Sequence, residues 1–506
     1  MSHTAPDLPR LLESLFAFAP TRPAVFQNGN WRDWGWMQGV MRTVGSLLSQ
    51  QDIAPDRPVA VIPRNRPSSA AALLGLLQAG RSVSMIYVYQ SAASIAEEVR
   101  KLAPSAILAD VQDWSPELEA AARETGSGGI ALADDGAAPA SLIMPRNPAK
   151  AENHHPPFAV SGVEMLTSGT TGKPKRYLIP ATLIARSMIL ESTVPTAGSG
   201  PDAPLPDPMI NPYPFGNISG LYTLLPLVCA GVPVLMQEKF DIDAWLEFVE
   251  QYRPKVMSLP PPGLFQVLER NVPPERLSSL VYLTSGAARI DPAQHDAFEE
   301  RYGIPVVCGY GATEFGGPVA NMTYDLRQQF GPSKRHTVGR AWAGADLRVI
   351  DEETSAILPP GTPGLLEVMA PRIGTEWIRT TDIGSIDADG FLTIHGRADG
   401  AISRGGFKIM PDTIVDAMLK HPAVGRAAAV GLPDQRLGQV PAAAIVLRPG
   451  MTATVEELRA HARANLYATH VPARFAIVDA IPLTPSLKVS LPGLAALFAK
   501  DDEQAA

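Results

Sequence analysis

Three features of the 506-residue sequence predict an α/β fold followed by a smaller α+β unit. Short apolar runs alternate with amphipathic helical segments over most of the chain, which is typical of layers built on mainly parallel strands. Around residues 346–396 the pattern changes to hairpins, and a smaller α+β unit follows after about residue 400. We therefore expect a large N-terminal domain with several subdomains over 1–398 and a C-terminal domain over 399–506.

The parallel layers are predicted from apolar runs separated by helical sequence, namely VPVLM (232–236), VMSL (256–259), VYL (281–283) and PVVC (305–308). Asp241 can cap the helix that follows the first run. That helix carries an apolar face at helical spacing, formed by Ile242, Trp245, Leu246 and Val249. Elements of this kind build a sheet covered by helices.

The later elements have local signals of their own. The dipeptide Asp389-Gly390 predicts a hairpin turn between two strands. In the last unit, residues 440–447 are strand-like, and Thr454 and Glu457 predict a capping box at the start of a helix. The segment 139–157 is rich in Pro, Ala, Asn and His, and we expect a surface loop there that leads into a strand.

Composition and charge restrict the class of protein. The net charge of −8 argues against a general nucleic-acid binder, which needs a basic face. Residues 400–506 hold 11 Lys and Arg against 9 Asp and Glu, whereas the rest of the chain holds 32 against 42. With only Cys229 and Cys308, a disulfide framework is not expected, and a reducing cytoplasm fits the chain.

Neither a leader nor a membrane span is predicted. The first residues lack a basic segment followed by a long apolar run, so we expect no signal peptide. Residues 208–237 carry no charge, but several prolines and glycines interrupt them. These interruptions favour a buried helix and strand with loops over a membrane span.

The loop LTSGTTGKPKR (166–176) combines glycines, hydroxyls and cations after a predicted strand. Glycines permit close approach of a phosphate, backbone amides form an anion-binding nest, and hydroxyls donate to its oxygens. A Walker A loop is excluded, because Pro174 follows Lys173 where that motif needs Ser or Thr. Composition alone leaves an ordinary surface loop as the alternative.

This loop resembles the phosphate loop of the adenylate-forming superfamily, which includes acyl- and aryl-CoA synthetases, luciferases and peptide adenylation domains. Further motifs follow in the family's order over roughly residues 20–495. The resemblance implies a phosphate-binding set consisting of Thr167, Ser168, Gly169, Thr170, Thr171, Gly172, Lys173 and Lys175.

Two further motifs resemble the family's adenine-binding segments. In GYGATE (309–314), the resemblance places Gly309, Tyr310 and Gly311 at the adenine. It places Thr313 at the α-phosphate and Glu314 on a magnesium ion, which prefers hard oxygen ligands. In SGAARI (285–290), the residues implied against the adenine are Gly286, Ala287 and Ala288, followed by Arg289 where proline is common. Taken alone, GYG followed by Glu is more often a turn before a helix than a nucleotide-binding motif.

The segment WIRTTDIG (377–384) resembles the family's ribose-binding segment, with Asp382 as the carboxylate that accepts from both hydroxyls. Thr381 replaces the family's glycine. In GRADGAISRGGFKIMP (396–411), Arg397 is implied to contact ribose or phosphate, and Asp399 to be the hinge of a mobile C-terminal domain. An ordinary surface turn is the alternative for Asp399. Gly405 and Gly406 are implied to line a channel for the pantetheine arm of coenzyme A.

The C-terminal segment IPLTPSLKVSLPGL (481–494) resembles the family's lysine motif, with Lys488 implied as the catalytic cation between the carboxylate and the α-phosphate. Leu487 replaces the usual glycine, and no arginine follows shortly after. Without the motif, a lone lysine near a C-terminus is normally solvated.

The acid pocket is predicted at five positions, Phe215, Asn217, Ser285, Gly311 and Phe315. Asn217 takes a place where the family often has histidine, and a neutral amide cannot act as a titrating gate. Ala312, Gly316 and Gly317 keep one wall low enough to admit a ring. Cys308 is predicted to be a buried strand thiol, and His154-His155 lacks partners at zinc spacing.

The implied activity is ATP-dependent formation of an acyl-adenylate with release of pyrophosphate, followed by transfer to coenzyme A. Magnesium would accompany ATP, and the partners would be a small carboxylic acid, ATP and coenzyme A, without nucleic acid or a membrane span. A homodimer is left open. Transfer to an amine or a carrier protein is an alternative, supported by Asn217, Leu487 and the missing arginine. A non-catalytic nucleotide-binding protein is the remaining hypothesis.

Overall fold

The computed structural model describes residues 8–10, 12–13, 20–135, 138–153, 156, 158, 160–167, 175–188, 207–286, 290–342, 344–404, 407–434, 437–484 and 488–504. The helices among them are α1 (Trp34–Gln50), α2 (Pro67–Gln78), α3 (Ala92–Leu102), α4 (Pro116–Thr125), α5 (Ala181–Met188), α6 (Ile218–Cys229), α7 (Ile242–Tyr252), α8 (Pro261–Glu269), α9 (Pro292–Tyr302), α10 (Tyr324–Phe330), α11 (Pro411–Leu419), α12 (Val455–Asn465) and α13 (Leu491–Gln504).

The strands of the same residues are β1 (Pro23–Gln27), β2 (Asn30–Asp33), β3 (Val59–Ile62), β4 (Val83–Met85), β5 (Ala106–Asp110), β6 (Gly128–Leu132), β7 (Ala140–Met144), β8 (Gly162–Thr167), β9 (Lys175–Pro180), β10 (Met209–Asn211), β11 (Val234–Met236), β12 (Val256–Ser258), β13 (Tyr282–Ser285), β14 (Val306–Ala312), β15 (Gly317–Asn321), β16 (Arg340–Ala341), β17 (Asp346–Ile350), β18 (Gly364–Met369), β19 (Ile378–Ile386), β20 (Leu392–Arg397), β21 (Ile402–Arg404), β22 (Phe407–Ile409), β23 (Val424–Asp434), β24 (Gly438–Leu447) and β25 (Arg474–Ile477).

Contacts divide the chain into two units, the first formed by residues 1–258 and 311–317, and the second by 259–310 and 318–506. The largest sheet of the first unit has the strand order β7-β6-β5-β3-β4-β8-β9. Its inner strands pair in parallel, whereas the edge strands β7 and β9 are antiparallel to their neighbours. A smaller sheet has the order β10-β11-β1-β2.

One core of the first unit lies between the large sheet and the helices α3 and α4. Apolar side chains of the strands meet those of the helices there, and fully buried members include Ile62, Val99, Ile107 and Leu118. Continuous apolar strands of this kind are expected where helices cover a parallel sheet.

The second unit contains antiparallel sheets. Strands β17 to β20 form a meander, and β22-β21-β24-β23 form a sheet to which β25 adds in parallel. Apolar side chains of α11 and α12 pack on one face of this last sheet and those of α13 on the other. The predicted α/β class, with a larger part built on mostly parallel strands and a smaller part built on an antiparallel sheet, is confirmed. The boundary at 398/399 stays a prediction.

The segment 139–157 differs from its prediction. Residues 140–144 form β7, which pairs antiparallel with β6, and residues 148–153 form a 3₁₀ helix. Two consecutive apolar residues of this edge strand, Leu142 and Ile143, are exposed. The strand therefore lacks the alternation of apolar and polar residues by which a half-buried strand is predicted. The strand is stabilised by pairing with β6 at the sheet edge, which the local sequence does not reveal.

The two predicted helix caps are confirmed. The Asp241 side chain accepts from the Ala244 amide at the start of α7, and Thr454 and Glu457 form a complete capping box on α12. The uncharged segment 208–237 forms β10, α6 and β11. Among the described residues, no helix is both long and apolar enough to cross a bilayer.

Candidate active site

Parallel pairing in the second unit brings two of the predicted adenine segments together. Strands β13 and β14 align Ser285 with Cys308, so the residues that follow lie side by side, with Gly286 just after the end of β13 and Gly309 still within β14. A Cβ added to Gly286 would lie 3.9 Å from the Gly309 carbonyl oxygen. The carboxyl ends of parallel strands are where α/β sheets commonly bind ligands. Ser285 is buried and donates to the Leu259 carbonyl oxygen at 2.8 Å.

Tyr310, which ends the second unit's part of β14, donates its hydroxyl hydrogen to the Asp382 carboxylate. Burial first, and the adjacent Asp382 charge second, raise the pKa of Tyr310 above its ordinary value. The phenol therefore stays protonated and remains a donor at neutral pH. The residues predicted for adenine and for ribose are thus in direct contact.

A bulge in β19 positions Asp382. Leu365 of β18 pairs with Ile383 of β19, and Glu367 pairs with Arg379. Two residue steps along β18 therefore match four along β19, which is the bulge. Thr380 fixes this bulge, because its hydroxyl donates to the Leu366 carbonyl at 2.7 Å and accepts from the Asp382 amide at 3.0 Å. Bulges frequently redirect side chains at functional sites.

Arg397, the residue predicted to touch ribose or phosphate, lies opposite Asp382 in the β19–β20 register. Its guanidinium donates to the Thr381 hydroxyl oxygen at 2.9 Å. The Tyr310, Asp382 and Arg397 side chains are therefore grouped around one short stretch of β19.

The first unit contains the predicted metal-binding turn. Residues Thr313–Phe315 form a 3₁₀ turn, in which Phe315 is buried and Glu314 is half-buried. Tyr177 of β9 donates its hydroxyl to the Glu314 carbonyl oxygen at 3.0 Å. Because β9 begins at Lys175, near the end of the predicted phosphate loop (166–176), this bond ties the turn to the strand that leads out of that loop.

Arg176, the neighbour of Tyr177, holds β9 from its other side. Its guanidinium donates to Glu98 of α3 at 2.6 Å and to Glu164 of β8 at 3.2 Å. All three side chains are less than one-fifth exposed. Neither Arg176 nor Tyr177 was predicted, and the sequence signal for them was a cation and an aromatic residue at the start of a strand.

The low wall predicted at Gly317 is occupied by the chain itself. Gly317 has φ +120°, and a Cβ there would lie 2.4 Å from the ring of Tyr222 on α6. The expectation that Gly317 leaves room for a substrate ring is therefore wrong, because Tyr222 fills that space.

The predicted pocket positions on the 212–220 segment are held by Asn65, which sequence reasoning missed. Asn65 is buried, accepts from the Phe215 amide at 2.8 Å and donates to the Tyr213 carbonyl at 2.8 Å. Phe215 is fully buried. Asn217 precedes α6 at the cap position without capping it, and within the described residues its Oδ1 is buried and lacks a hydrogen-bond partner.

Lys488 lies exposed in the second unit, directly before Val489, which forms an isolated antiparallel bridge with Leu483. The Lys488 amide donates to the Thr484 hydroxyl at 3.2 Å, and its carbonyl accepts from the Thr484 amide at 2.6 Å. These two bonds hold the Lys488 backbone beside Thr484.

Several predicted positions lie outside the described residues, namely His154, His155, Ser168, Gly169, Thr170, Thr171, Gly172, Lys173, Pro174, Ala287, Ala288, Arg289, Gly405, Gly406 and Leu487. For Thr167, Lys175 and Asp399 only the backbone is described, and Thr167 pairs with Lys175 across the phosphate loop. Gly311 and Ala312 belong to the first unit with Glu314.

Cys308 of β14 has no role in the grouped residues. Burial, and then the nearby Glu299 carboxylate, raise the pKa of its thiol to about 12. The thiol therefore stays protonated and is a poor nucleophile, as predicted.

The comparison with family models decides which family these motifs represent. Residues 14–374 match the model described as AMP-binding enzyme, and residues 415–488 match the AMP-binding enzyme C-terminal domain. The chain belongs to the AMP-binding enzyme family. The resemblance to the adenylate-forming superfamily is confirmed by this match.

Curated relatives of this AMP-binding enzyme include CoA ligases. It is 30% identical over 473 residues to sulfoacetate–CoA ligase of Cupriavidus necator, covering 88% of this chain and 89% of the relative. It is 29% identical over 360 residues to 4-coumarate–CoA ligase 1 of Petroselinum crispum. That second match covers 66% of this chain and 65% of the parsley enzyme, which is less than two thirds of its length.

Solved structures similar to this AMP-binding enzyme show the same fold over nearly the whole chain. ATP-bound MatB from Rhodopseudomonas palustris has a TM-score of 0.78 at 21% identity, covering 97% of this chain and 99% of that one. The amide bond synthetase McbA from Marinactinospora thermotolerans has a TM-score of 0.74 at 24% identity, covering 97% and 100%.

Proposed function

We propose that this chain activates a carboxylic acid with ATP, forming an acyl-adenylate and pyrophosphate, and then transfers the acyl group to coenzyme A. In the first step a carboxylate oxygen attacks the α-phosphorus and the bond to pyrophosphate breaks. In the second step the thiol attacks the acyl carbonyl, AMP leaves, and the thiol proton is released. The proposed enzyme is an AMP-forming acid–thiol ligase.

The observation that carries the proposal is the contact between Tyr310 and Asp382. An aromatic ring at a strand end, with its hydroxyl bonded to a carboxylate, suits a nucleoside, because the ring offers a stacking face and the carboxylate accepts from vicinal hydroxyls. Arg397, held opposite Asp382, adds a cation for ribose or phosphate. The CoA ligases among the relatives support the same chemistry.

The residues of the first unit fit a magnesium ion brought by ATP. Among the residues that the structure describes, no group of three or more His, Cys, Asp and Glu side chains could hold a metal. A single carboxylate, Glu314, suits Mg²⁺ because this ion usually takes its other ligands from water and substrate phosphates. Magnesium bound there would offset negative charge on the phosphates, and the Tyr177 bond would keep the Glu314 turn in place.

This chain's own residues would supply positioning and electrostatic stabilisation. Two anions, the acid and ATP, must be brought together, and donors aimed at the reacting phosphate lower that barrier. We assign this task to Lys488, Thr313 and the phosphate loop, with the C-terminal residues 399–506 turning about Asp399 between the two steps. Reaction in the cytoplasm is part of the proposal.

Transfer to an amine is a second candidate function, favoured by Asn217. Its Oδ1 has no donor in the described part of the chain, so a substrate that brings an N–H would satisfy it. The similarity to an amide bond synthetase shows the fold and leaves the acceptor open.

The test is carboxylate-dependent exchange of labelled pyrophosphate into ATP, run over aliphatic, dicarboxylic and aromatic acids. Exchange with at least one acid supports the adenylation, and no exchange with any acid contradicts it. With the active acid, thioester formation on adding coenzyme A supports the main proposal. Amide formation with free amines and no thioester supports the second candidate.

A further inference from the structure

We propose that Thr381 is a positioning residue for nucleotide binding, acting through Arg397. Its hydroxyl oxygen accepts the guanidinium N–H at 2.9 Å. This inference rests on the proposed function, because it takes the nucleotide as the ligand that Arg397 meets.

Holding an arginine side chain in one conformation costs conformational entropy. Arg397 is exposed at the end of β20, and an arginine side chain loses rotamer freedom when a ligand fixes it in one conformation. A hydrogen bond that already orients the guanidinium meets part of this cost before the ligand arrives. Thr381 supplies an acceptor in the right place without a second negative charge beside Asp382.

The backbone around Thr381 is rigid enough for this role. The bulge of β19 is fixed on one side of Thr381 by the Thr380 bonds to Leu366 and to the Asp382 amide. On the other side, Asp382 is bonded to Tyr310 and pairs with Arg397 across the strands. The three neighbouring residues thus have separate tasks. Thr380 fixes the bulge, Thr381 orients the arginine, and Asp382 accepts hydrogen bonds.

A glycine at this position would provide no hydroxyl. Valine has nearly the shape of threonine and lacks only the acceptor, whereas serine keeps the acceptor and lacks the methyl group. Comparing glycine, valine and serine at position 381 therefore separates the effect of the hydrogen bond from the effect of side-chain shape.

The test measures binding of AMP by calorimetry to wild type, Thr381→Val, Thr381→Gly and Thr381→Ser. We expect the Val and Gly variants to bind AMP about fivefold more weakly, and Ser to bind within about twofold of wild type. Thr393→Val, the same change on the neighbouring strand β20, is the control and is expected to bind AMP normally.

The same change in an Arg397→Ala background shows whether Thr381 acts through the arginine. We expect Thr381→Val to have no further effect there. An unchanged affinity of Thr381→Val, or an equal loss in both backgrounds, would overturn the inference. If wild type binds no AMP, the proposed nucleotide site itself is wrong, whereas normal AMP binding without pyrophosphate exchange contradicts only the proposed reaction.

Discussion

The Tyr310 hydroxyl donates to the Asp382 carboxylate, joining two motifs that lie 72 residues apart in the chain. One bond thus sets the distance between the proposed stacking face and the proposed ribose acceptor. It also fixes the orientation of the Asp382 carboxylate.

Replacing Tyr310 with Phe keeps the ring and removes this bond. We expect the KM for ATP to rise about tenfold with kcat within about twofold, because hydrogen bonds to charged groups contribute about 1.5–3 kcal/mol. Pyrophosphate exchange at varied ATP measures both constants. Tyr324→Phe removes a hydroxyl elsewhere in the second unit and serves as the control. A KM equal to that of wild type would show that the bond does not orient Asp382 for ATP.

Replacing Tyr177 with Phe tests the link between β9 and the Glu314 turn. We expect the Mg²⁺ concentration for half-maximal exchange to rise about fivefold, with the rate at saturating Mg²⁺ nearly unchanged, since one neutral hydrogen bond is lost. The matched control is Tyr467→Phe, because Tyr467 is 80% exposed. An unaltered Mg²⁺ dependence would mean that the Tyr177 hydroxyl has no part in holding the turn.

The buried Glu299 carboxyl group should make the free energy of unfolding depend on pH. Burial alone raises the pKa of this carboxyl group, but hydrogen bonds from His295, the Val306 amide and Arg327 outweigh burial and lower the pKa to about 2. Because the folded-state pKa lies below the ordinary value of 4.5, the stabilisation is fully present above pH 4.5. It is lost as the pH falls from 4.5 towards 2, by about 3 kcal/mol at most.

Urea unfolding at pH 7 and pH 3 checks this expectation. The fall in unfolding free energy between the two pH values should be smaller in Glu299→Gln than in wild type, and Glu299→Gln should be less stable at pH 7. The exposed neighbour Glu300 provides the control, Glu300→Gln. An equal fall in wild type and Glu299→Gln would exclude Glu299 as the source.

Much of the fold was predicted where a structural feature is formed by residues that are close together in the sequence. The Asp241 cap and the Thr454–Glu457 box are formed within four residues of the chain, so the sequence contains all that is needed. Strand β7 was missed because its stability comes from pairing with β6, which local composition does not reveal.

The same distinction applies to the candidate site. Asp382 and Tyr310 were predicted from their motifs, but the bond between them depends on how two sheets of one unit meet. Thr381 was noted only as a replacement for glycine, because a bulge arises from strand register. Arg176 was missed since its partner Glu98 lies 78 residues earlier, on α3.

Lys488→Ala tests the proposed division of labour between the two steps. We expect adenylate formation to fall by about 100-fold or more, the usual effect of removing one electrostatic donor. Conversion of synthetic acyl-adenylate by coenzyme A should remain near the wild-type rate. Lys420→Ala, an exposed lysine of the same unit, is the control. Equal damage to both steps would contradict the role assigned to Lys488.

The most direct test of the whole account follows an oxygen atom from the acid. With an active acid labelled with ¹⁸O at both carboxylate oxygens, and with coenzyme A present, one labelled oxygen should appear in AMP at each turnover. This outcome is expected because the carboxylate oxygen that attacks the α-phosphorus leaves with AMP when the thiol attacks the carbonyl. Unlabelled AMP, or label found in orthophosphate, would contradict an acyl-adenylate intermediate.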